Sequence, residues 1–300
     1  MTKKWSSRLT FFAFVVLMVG LGSNDSLRGI FSTIFQEHFS LTTTQLGLIV
    51  TASYIGNLVF LLVGGNLSTR FSKKRVLQVL ILIWMAALAL FAFTSNYTVL
   101  LIGMALALGS STLLNTTMNL ITPLLFATAP GFFVNFLFFT QEIGTSGSQY
   151  ILGSHADGFA FWQHTNLVLL ILGAVAFVLL LFCNVPEEAA APADAPAQKG
   201  GYDWRIIVPY VLVFGFYFIA EHGVMNWMVA YGVDGLGLPQ ASAAKYLSVF
   251  FGGMMIGRLC LSPLVDKLGA LKSLAAFGGV SCVLYLIGSL GGAVTMPVWA

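Results

Sequence analysis

The chain reads as an all-α membrane protein built from two related halves, and three observations predict it. Hydrophobic residues make up 58% of its 300 residues and charged ones 8%, with a mean hydropathy of +0.89. A soluble domain carries roughly 25% charged residues, so most of this chain must face lipid or other buried helices. Nine segments meet the length of about 20 mainly apolar residues that a bilayer-spanning helix needs. A basic stretch between two of those segments recurs far along the chain.

That stretch covers residues 64–75, Gly-Gly-Asn-Leu-Ser-Thr-Arg-Phe-Ser-Lys-Lys-Arg, and holds four of the fourteen Lys and Arg residues. Residues 257–272 have the same layout. Superposing Arg70 on Lys267 places Gly65 on Ser262, Ser72 on Gly269 and Leu41 on Leu238, an offset of 197 residues. Two copies of one pattern at that distance indicate an internally duplicated membrane protein.

The expected spans are 9–34, 44–66, 75–94, 97–125, 131–153, 165–184, 205–232, 242–264 and 272–291. The first follows Met1-Thr-Lys-Lys-Trp-Ser-Ser-Arg8 and is read as a retained helix rather than a signal peptide. No small-residue cleavage site follows it, and Asp25 and Arg28 occupy its far end. Residues 186–201, rich in Ala and Pro, have no apolar periodicity and read as an extended linker. The chain divides accordingly into a six-helix half (1–185), a cytoplasmic linker (186–203) and a second half with helices 7–9 only (204–300). At the repeat offset, residues 294–300 correspond to 97–103, the opening of the fourth span. The second half is therefore read as incomplete, stopping where a tenth span should begin.

Lys and Arg in short loops set orientation. Lys3, Lys4 and Arg8, then Arg70 and Lys73–Arg75, then Lys199 and Arg205, then Lys267 and Lys272 all fall on one side if the N-terminus is cytoplasmic. The opposite loops, near Glu37, Asn96, Asp157 and Asp234, carry almost no basic residue apart from Lys245. The expected location is the cell membrane, multi-pass, with the N-terminus inside. The net charge of +3 gives no reason to expect nucleic acid as a partner. Cys183, Cys260 and Cys282 have no C-x-x-C spacing, so no metal or disulfide framework is expected, and no cofactor. There is no H-E-x-x-H, phosphate loop or Ser/His nucleophile pair, which argues against an enzyme and against ATP-driven transport.

Six spans, a linker, a duplicated second half and a basic loop after the second span of each half resemble the major facilitator superfamily. That family's loop runs Gly, three residues, Asp, a basic residue, one residue, Gly, one residue, then basic residues. The first copy here is Gly65, Thr69, Arg70, Ser72, Lys74, Arg75; the second is Ser262, Asp266, Lys267, Gly269, Lys272. The first departs at the Asp and the second Gly, the second at the first Gly, and each keeps what the other lacks. The resemblance implies the two-times-six-helix fold. It also implies a gating role for Gly65, Arg70, Lys74, Arg75, Asp266, Lys267 and Gly269, through contacts with neighbouring helix ends. Plain positive-inside anchoring is the alternative for some of the basic residues.

Asn24-Asp25, followed by Phe39-Ser-Leu-Thr-Thr-Thr-Gln-Leu-Gly-Leu-Ile49, looks like the fucose–proton symporter branch. The stretch Glu221-His-Gly-Val-Met-Asn-Trp-Met-Val-Ala-Tyr231 is similar to its sugar-transporting members. The resemblance assigns proton coupling and sugar recognition to Asp25. The branch's fourth-helix Glu falls at Asn115, which cannot titrate, with Asn119 four residues on; Glu142 is the candidate substitute.

Ionisable groups inside a membrane helix cost on the order of 2.5–3.5 kcal/mol at its centre and usually face a cavity or a partner. Asp25, Arg28, Glu142 and Glu221 qualify. Asp25 and Arg28 lie three apart on one face and can pair, with Gly20, Gly22 and Gly29 permitting close approach of substrate or another helix. Glu221 falls within one residue of Asp25 under the repeat. Asp25, Glu142 and Glu221 are the proton-coupling candidates. The substrate-binding candidates are Asn24, Asp25, Asn115, Asn119, Gln141, Gln149, Glu221, Asn226 and Trp227, Trp227 offering an aromatic face to a sugar ring. The plainer alternatives are a structural ion pair, polar helix packing and an interfacial Trp.

The expected function is secondary transport of a small polar solute, a monosaccharide, by proton-coupled alternating access, in a monomer whose partners are substrate, protons and lipid. Two other readings stand beside it: a proton-coupled exporter of drugs or metabolites, and a non-transporting receptor or assembly protein.

Overall fold

The computed structural model describes residues 3–128, 130–186 and 203–291, without the side chains of 3–6, 65–70, 206, 258–259, 262–267, 270, 289 and 291. Its helices are α1 (Lys3–Ile30), the short α2 (Ser32–His38), α3 (Thr43–Arg70), α4 (Lys73–Phe93), α5 (Tyr97–Leu125), α6 (Pro130–Ile151) and α7 (Gly158–Leu181), then α8 (Trp204–Ala230), α9 (Gln240–Leu268) and α10 (Ala270–Gly291). A π-helical turn, Tyr231–Gly235, extends α8. No strand occurs among the described residues.

Nine long helices fall on the nine expected spans, and among the described residues seven of them contain stretches long and apolar enough to cross a bilayer. The exceptions are α6 and α9. On α6 the deficit comes from Thr140, Gln141, Glu142, Thr145, Ser148 and Gln149, most of them buried against protein rather than exposed to lipid. The first expected span also changes: it breaks at Phe31 (ψ 8°) and restarts as α2, instead of running on to residue 34. The sixth begins at Gly158, seven residues before its expected start.

The repeat is visible in the element bounds. An offset of 197 carries Thr43 and Lys73, which open α3 and α4, onto Gln240 and Ala270, which open α9 and α10. The departures between the two copies have a local reason. Ser72 caps α4 through its side chain, accepting from Arg75 N at 3.4 Å. Gly269, its counterpart, turns the chain instead in the left-handed region (φ 83°), which a glycine enters without steric cost. The start of α3 carries a capping box: Gln45 Oε1 accepts from Thr42 N (2.9 Å) while Thr42 Oγ1 accepts from Gln45 N (3.3 Å).

In the first bundle α1 packs on α6 and α7, α3 on α5, and α4 between α5 and α7. Glycine makes the α1–α6 crossing possible. A Cβ on Gly22 would sit 2.0 Å from Gln141 O, and one on Gly144 would sit 2.1 Å from Val19 O. Trp162 meets Phe31 and Phe35 edge-on at 5.3 and 4.9 Å and ties α2 to α7.

Helix α8 packs on α1 and α2, and α9 packs on α6. These contacts gather where α1 and α6 end and α9 begins. Gly29 lies against the Met225 carbonyl. Gln240 accepts from Thr33 Oγ1 (2.9 Å) and donates to Ile30 O (2.6 Å). Ser146 and Ser248 exchange side-chain-to-backbone hydrogen bonds, with their hydroxyls 3.2 Å apart. The basic turn at 72–75 is at the opposite end, and the first turns of α8, 208–219, are largely exposed.

Candidate substrate and coupling site

Polar side chains follow one stripe of α5, Ser111, Asn115 and Asn119, spaced four apart so that they stack along one face. Asn119 Nδ2 donates to Asn115 Oδ1 (2.6 Å), and Asn115 Nδ2 donates to Gln141 Oε1 on α6 (2.7 Å). Pro123 removes the backbone donor that would otherwise bond the Asn119 carbonyl. At the Ser111 end of the stripe the Asp25 carboxylate is within hydrogen-bonding reach of Ser111 and Asn24 and within the electrostatic reach of Arg28 and His222.

Arg28 is 5% exposed, yet it does not close on Asp25 as the three-residue spacing suggested. Its Nε points to Asn226 Oδ1 on α8 at 3.5 Å, and its guanidinium lies 5.9 Å from the Tyr54 ring centroid on α3. Asn226 Nδ2 donates to Tyr54 Oη (3.2 Å) and to His222 O (2.7 Å). One buried asparagine therefore joins α1, α3 and α8.

Several buried polar atoms here have no hydrogen-bond partner: Asp25 Oδ1, Arg28 Nη2, Asn119 Oδ1 and Gln149 Oε1. Native proteins leave few such atoms, and each calls for a strain, catalytic or ligand explanation. Gln149 Nε2 donates to Ser26 O (3.2 Å), so its amide is oriented while its oxygen stays open.

The structure thus brings Asn24, Asp25 and Asn226 together, with Asn115, Asn119 and Gln141 forming a second cluster along α5. Gln149 is tied to α1 at Ser26, two residues beyond Asn24. Glu142 is buried on α6, on the helix that crosses α1 at Gly22. Glu221 is half-buried on α8, close enough for its charge to reach Tyr54. Trp227 packs against the core of the α1–α7 bundle, as a wedge between helix groups. Sequence reasoning missed Tyr54 and Ser111 and gave Arg28 only the role of pairing with Asp25. A tyrosine at mid-span in α3 was the available signal.

At the other end Lys74 Nζ donates to Leu181 O (3.0 Å) and Cys183 O (2.7 Å), the open carbonyls that finish α7. Burial pushes the Cys183 thiol above its ordinary range, opposed by Thr10 and Lys74. Arg75 is exposed and Gly269 makes the turn described above. The side chains of Arg70, Asp266 and Lys267, and Gly65 with them, lie outside the described set, as does most of the expected linker, 187–202.

A bundle of long apolar helices with a buried polar stripe and two helix groups that meet at one end has the form of a membrane solute transporter. The sequence profile of the Major Facilitator Superfamily matches residues 10–300, and the chain belongs to that family. It is 24% identical to the cis,cis-muconate transport protein of Acinetobacter baylyi, over 92% of this chain and 70% of that one. It is 23% identical to the L-fucose–proton symporter of Escherichia coli, over 89% of this chain and 70% of that one. Among solved structures, the transporter FucP in its outward conformation superposes with a TM-score of 0.68 at 20% identity, covering 98% of this chain and 81% of that one. The protein is a multi-pass membrane transporter of this family.

Proposed function

We propose that the protein is a proton symporter for a small polar solute of monosaccharide size, working by alternating access in the cell membrane with its N-terminus cytoplasmic. The observation that carries this reading is the set of buried, unpartnered polar atoms on α1, α5 and α6, with Asp25 as the acid among them. Such atoms are ready to pair with hydroxyl groups, and a carboxylate in a buried setting can exchange a proton as its surroundings change. The names of the two relatives fit a small polar cargo, one for muconate, a dicarboxylate, the other for fucose together with a proton.

The α1–α7 and α8–α10 groups are the two moving units in this reading, divided by the linker 186–203. They meet at the end away from the basic turn, which then faces outward, so the solute site opens inward. Asp25 is the main coupling group, with Glu142 and Glu221 as auxiliaries. Asn24, Asn115, Asn119, Gln141, Gln149, Asn226 and Trp227 supply contacts. The basic loops, with Lys74 on the end of α7, act as gating elements.

The test is solute-triggered proton uptake in proteoliposomes, for the wild type and Asp25→Asn. External alkalinisation on adding a sugar or sugar acid, lost in the variant, is the expected result. Uptake that needs no proton gradient and survives the substitution refutes the coupling.

A further inference from the structure

We infer that Arg28 is a carboxylate-binding residue, so that the solute is a sugar acid or similar polyhydroxylated carboxylate and not a neutral sugar. This deepens the symport reading above and rests on it.

Arginine stays protonated in proteins, and a buried cation needs an anion or a full set of acceptors. Arg28 is 5% exposed and makes neither an ion pair nor a full set of hydrogen bonds, although the Asp25 carboxylate is near enough for the two charges to act on each other. Its Nη2 is without a partner, and so is Oδ1 of Asp25, three residues away on the same helix. A structural ion pair would have closed these two atoms on each other. Instead the guanidinium is held from one side, by Asn226 Oδ1 at 3.5 Å and by the Tyr54 ring at 5.9 Å. Asn226 is itself fixed by its bonds to Tyr54 Oη and His222 O. A guanidinium anchored through Nε and a ring face keeps Nη2 for an anion, and a carboxylate oxygen is the acceptor that suits it.

The charged and titratable groups of the neighbourhood are Asp25 and Arg28 on α1, Tyr54 on α3, and Glu221 and His222 on α8. Asp25 and the solute carboxylate therefore compete for one cation. A proton taken up by Asp25 removes its claim on Arg28, and the solute carboxylate replaces it. Departure of the solute on the other side returns Arg28 to the field of Asp25, which releases the proton. Each cycle moves one proton and one carboxylate together, with no net charge. A neutral sugar carried with one proton would move one positive charge.

The experiment compares D-glucuronate with D-glucose in proteoliposomes that hold the purified protein, under an inward proton gradient. Expected is saturable glucuronate uptake that glucose does not inhibit and that a potassium–valinomycin diffusion potential leaves unchanged. Arg28→Gln lowers it by about tenfold or more, and Arg28→Lys retains part of it. Proton-coupled uptake of glucose, with glucuronate inert or no better, overturns the carboxylate site and leaves the symport reading standing. Uptake of neither probe by protein that is monodisperse in detergent overturns both. The potential-insensitivity of the wild type needs no variant, so the inference stays testable if Arg28→Gln fails to fold.

Discussion

One backbone-tight contact between the two helix groups is Gly29 on α1 against Met225 on α8, and Gly29→Ala tests whether the contact belongs to one state of a transport cycle. A Cβ at position 29 would stand 2.4 Å from the Met225 carbonyl oxygen and 3.3 Å from Leu247 Cδ2, where ordinary contact begins at 3.4 Å. The first obstacle is backbone and cannot rotate away, so α1 and α8 must separate by about 1 Å. Overpacking of this kind costs about 1–3 kcal/mol. The cost exists only while the helices touch, so the equilibrium shifts toward the form open at this end by about 5- to 150-fold. The assay is labelling of Thr33→Cys by a membrane-impermeant maleimide, with Cys183, Cys260 and Cys282 replaced by Ser. The rate should rise in Gly29→Ala and stay unchanged in Gly47→Ala, where a Cβ meets nothing within 4 Å. Equal rates in Gly29→Ala and the parent would refute the idea that this contact opens.

Three other outcomes follow from the geometry. In the same cysteine-free background, Ser146→Cys with Ser248→Cys should form a disulfide, because the two hydroxyls stand 3.2 Å apart. Uptake should stop and return on reduction; full transport with the bond formed would sink alternating access at this interface. Lys74→Ala removes two hydrogen bonds to the end of α7 and should lower stability by about 1–3 kcal/mol, read as a fall in melting temperature. At pH 7.5, maleimide in detergent should label exposed Cys260 and Cys282 well before buried Cys183. The Cys183 thiol lies above its usual value of about 8.5, so its thiolate appears only at higher pH. The sign for stability is the same: the folded state keeps its advantage below the ordinary thiol value and loses it as pH rises through the raised one. Equal labelling rates for the three cysteines would contradict that burial.

Much of the fold was legible because bilayer crossing imposes a length and an apolarity that sequence displays directly. The helices least visible on that criterion, α6 and α9, pack on each other across the two groups. The polar residues of α6 are mostly hidden by protein, and hydropathy cannot distinguish polar-and-buried from polar-and-exposed. The Asn115–Gln141 bond links residues 26 apart on different helices, and no periodicity reports which faces meet. The same limit hid the role of Arg28. Spacing placed Asp25 on its own helix face, whereas Asn226, 198 residues away, holds its Nε.

The repeat explains why that meeting occurs where it does. At the offset of 197, Arg28 corresponds to Met225 and Gly29 to Asn226. Arg28 touches Asn226, and Gly29 touches Met225. Each residue therefore contacts the counterpart of its own neighbour, the reciprocal pattern of a two-fold interface, here between halves of one chain. The pseudo-axis passes through this crossing of α1 and α8, the place where two duplicated helices must approach each other. Symmetry of backbone does not require symmetry of chemistry. One side supplies a cation and a hydrogen atom as its two side chains, the other a thioether and an amide. Restoring the symmetry would place a methionine at position 28, leaving the close approach at Gly29 intact while removing the charge. Arg28→Met should therefore preserve the labelling rate of Thr33→Cys within about twofold while glucuronate uptake falls by about tenfold or more. A large change in both would mean that Arg28 holds the helices together and has no separate part in recognition.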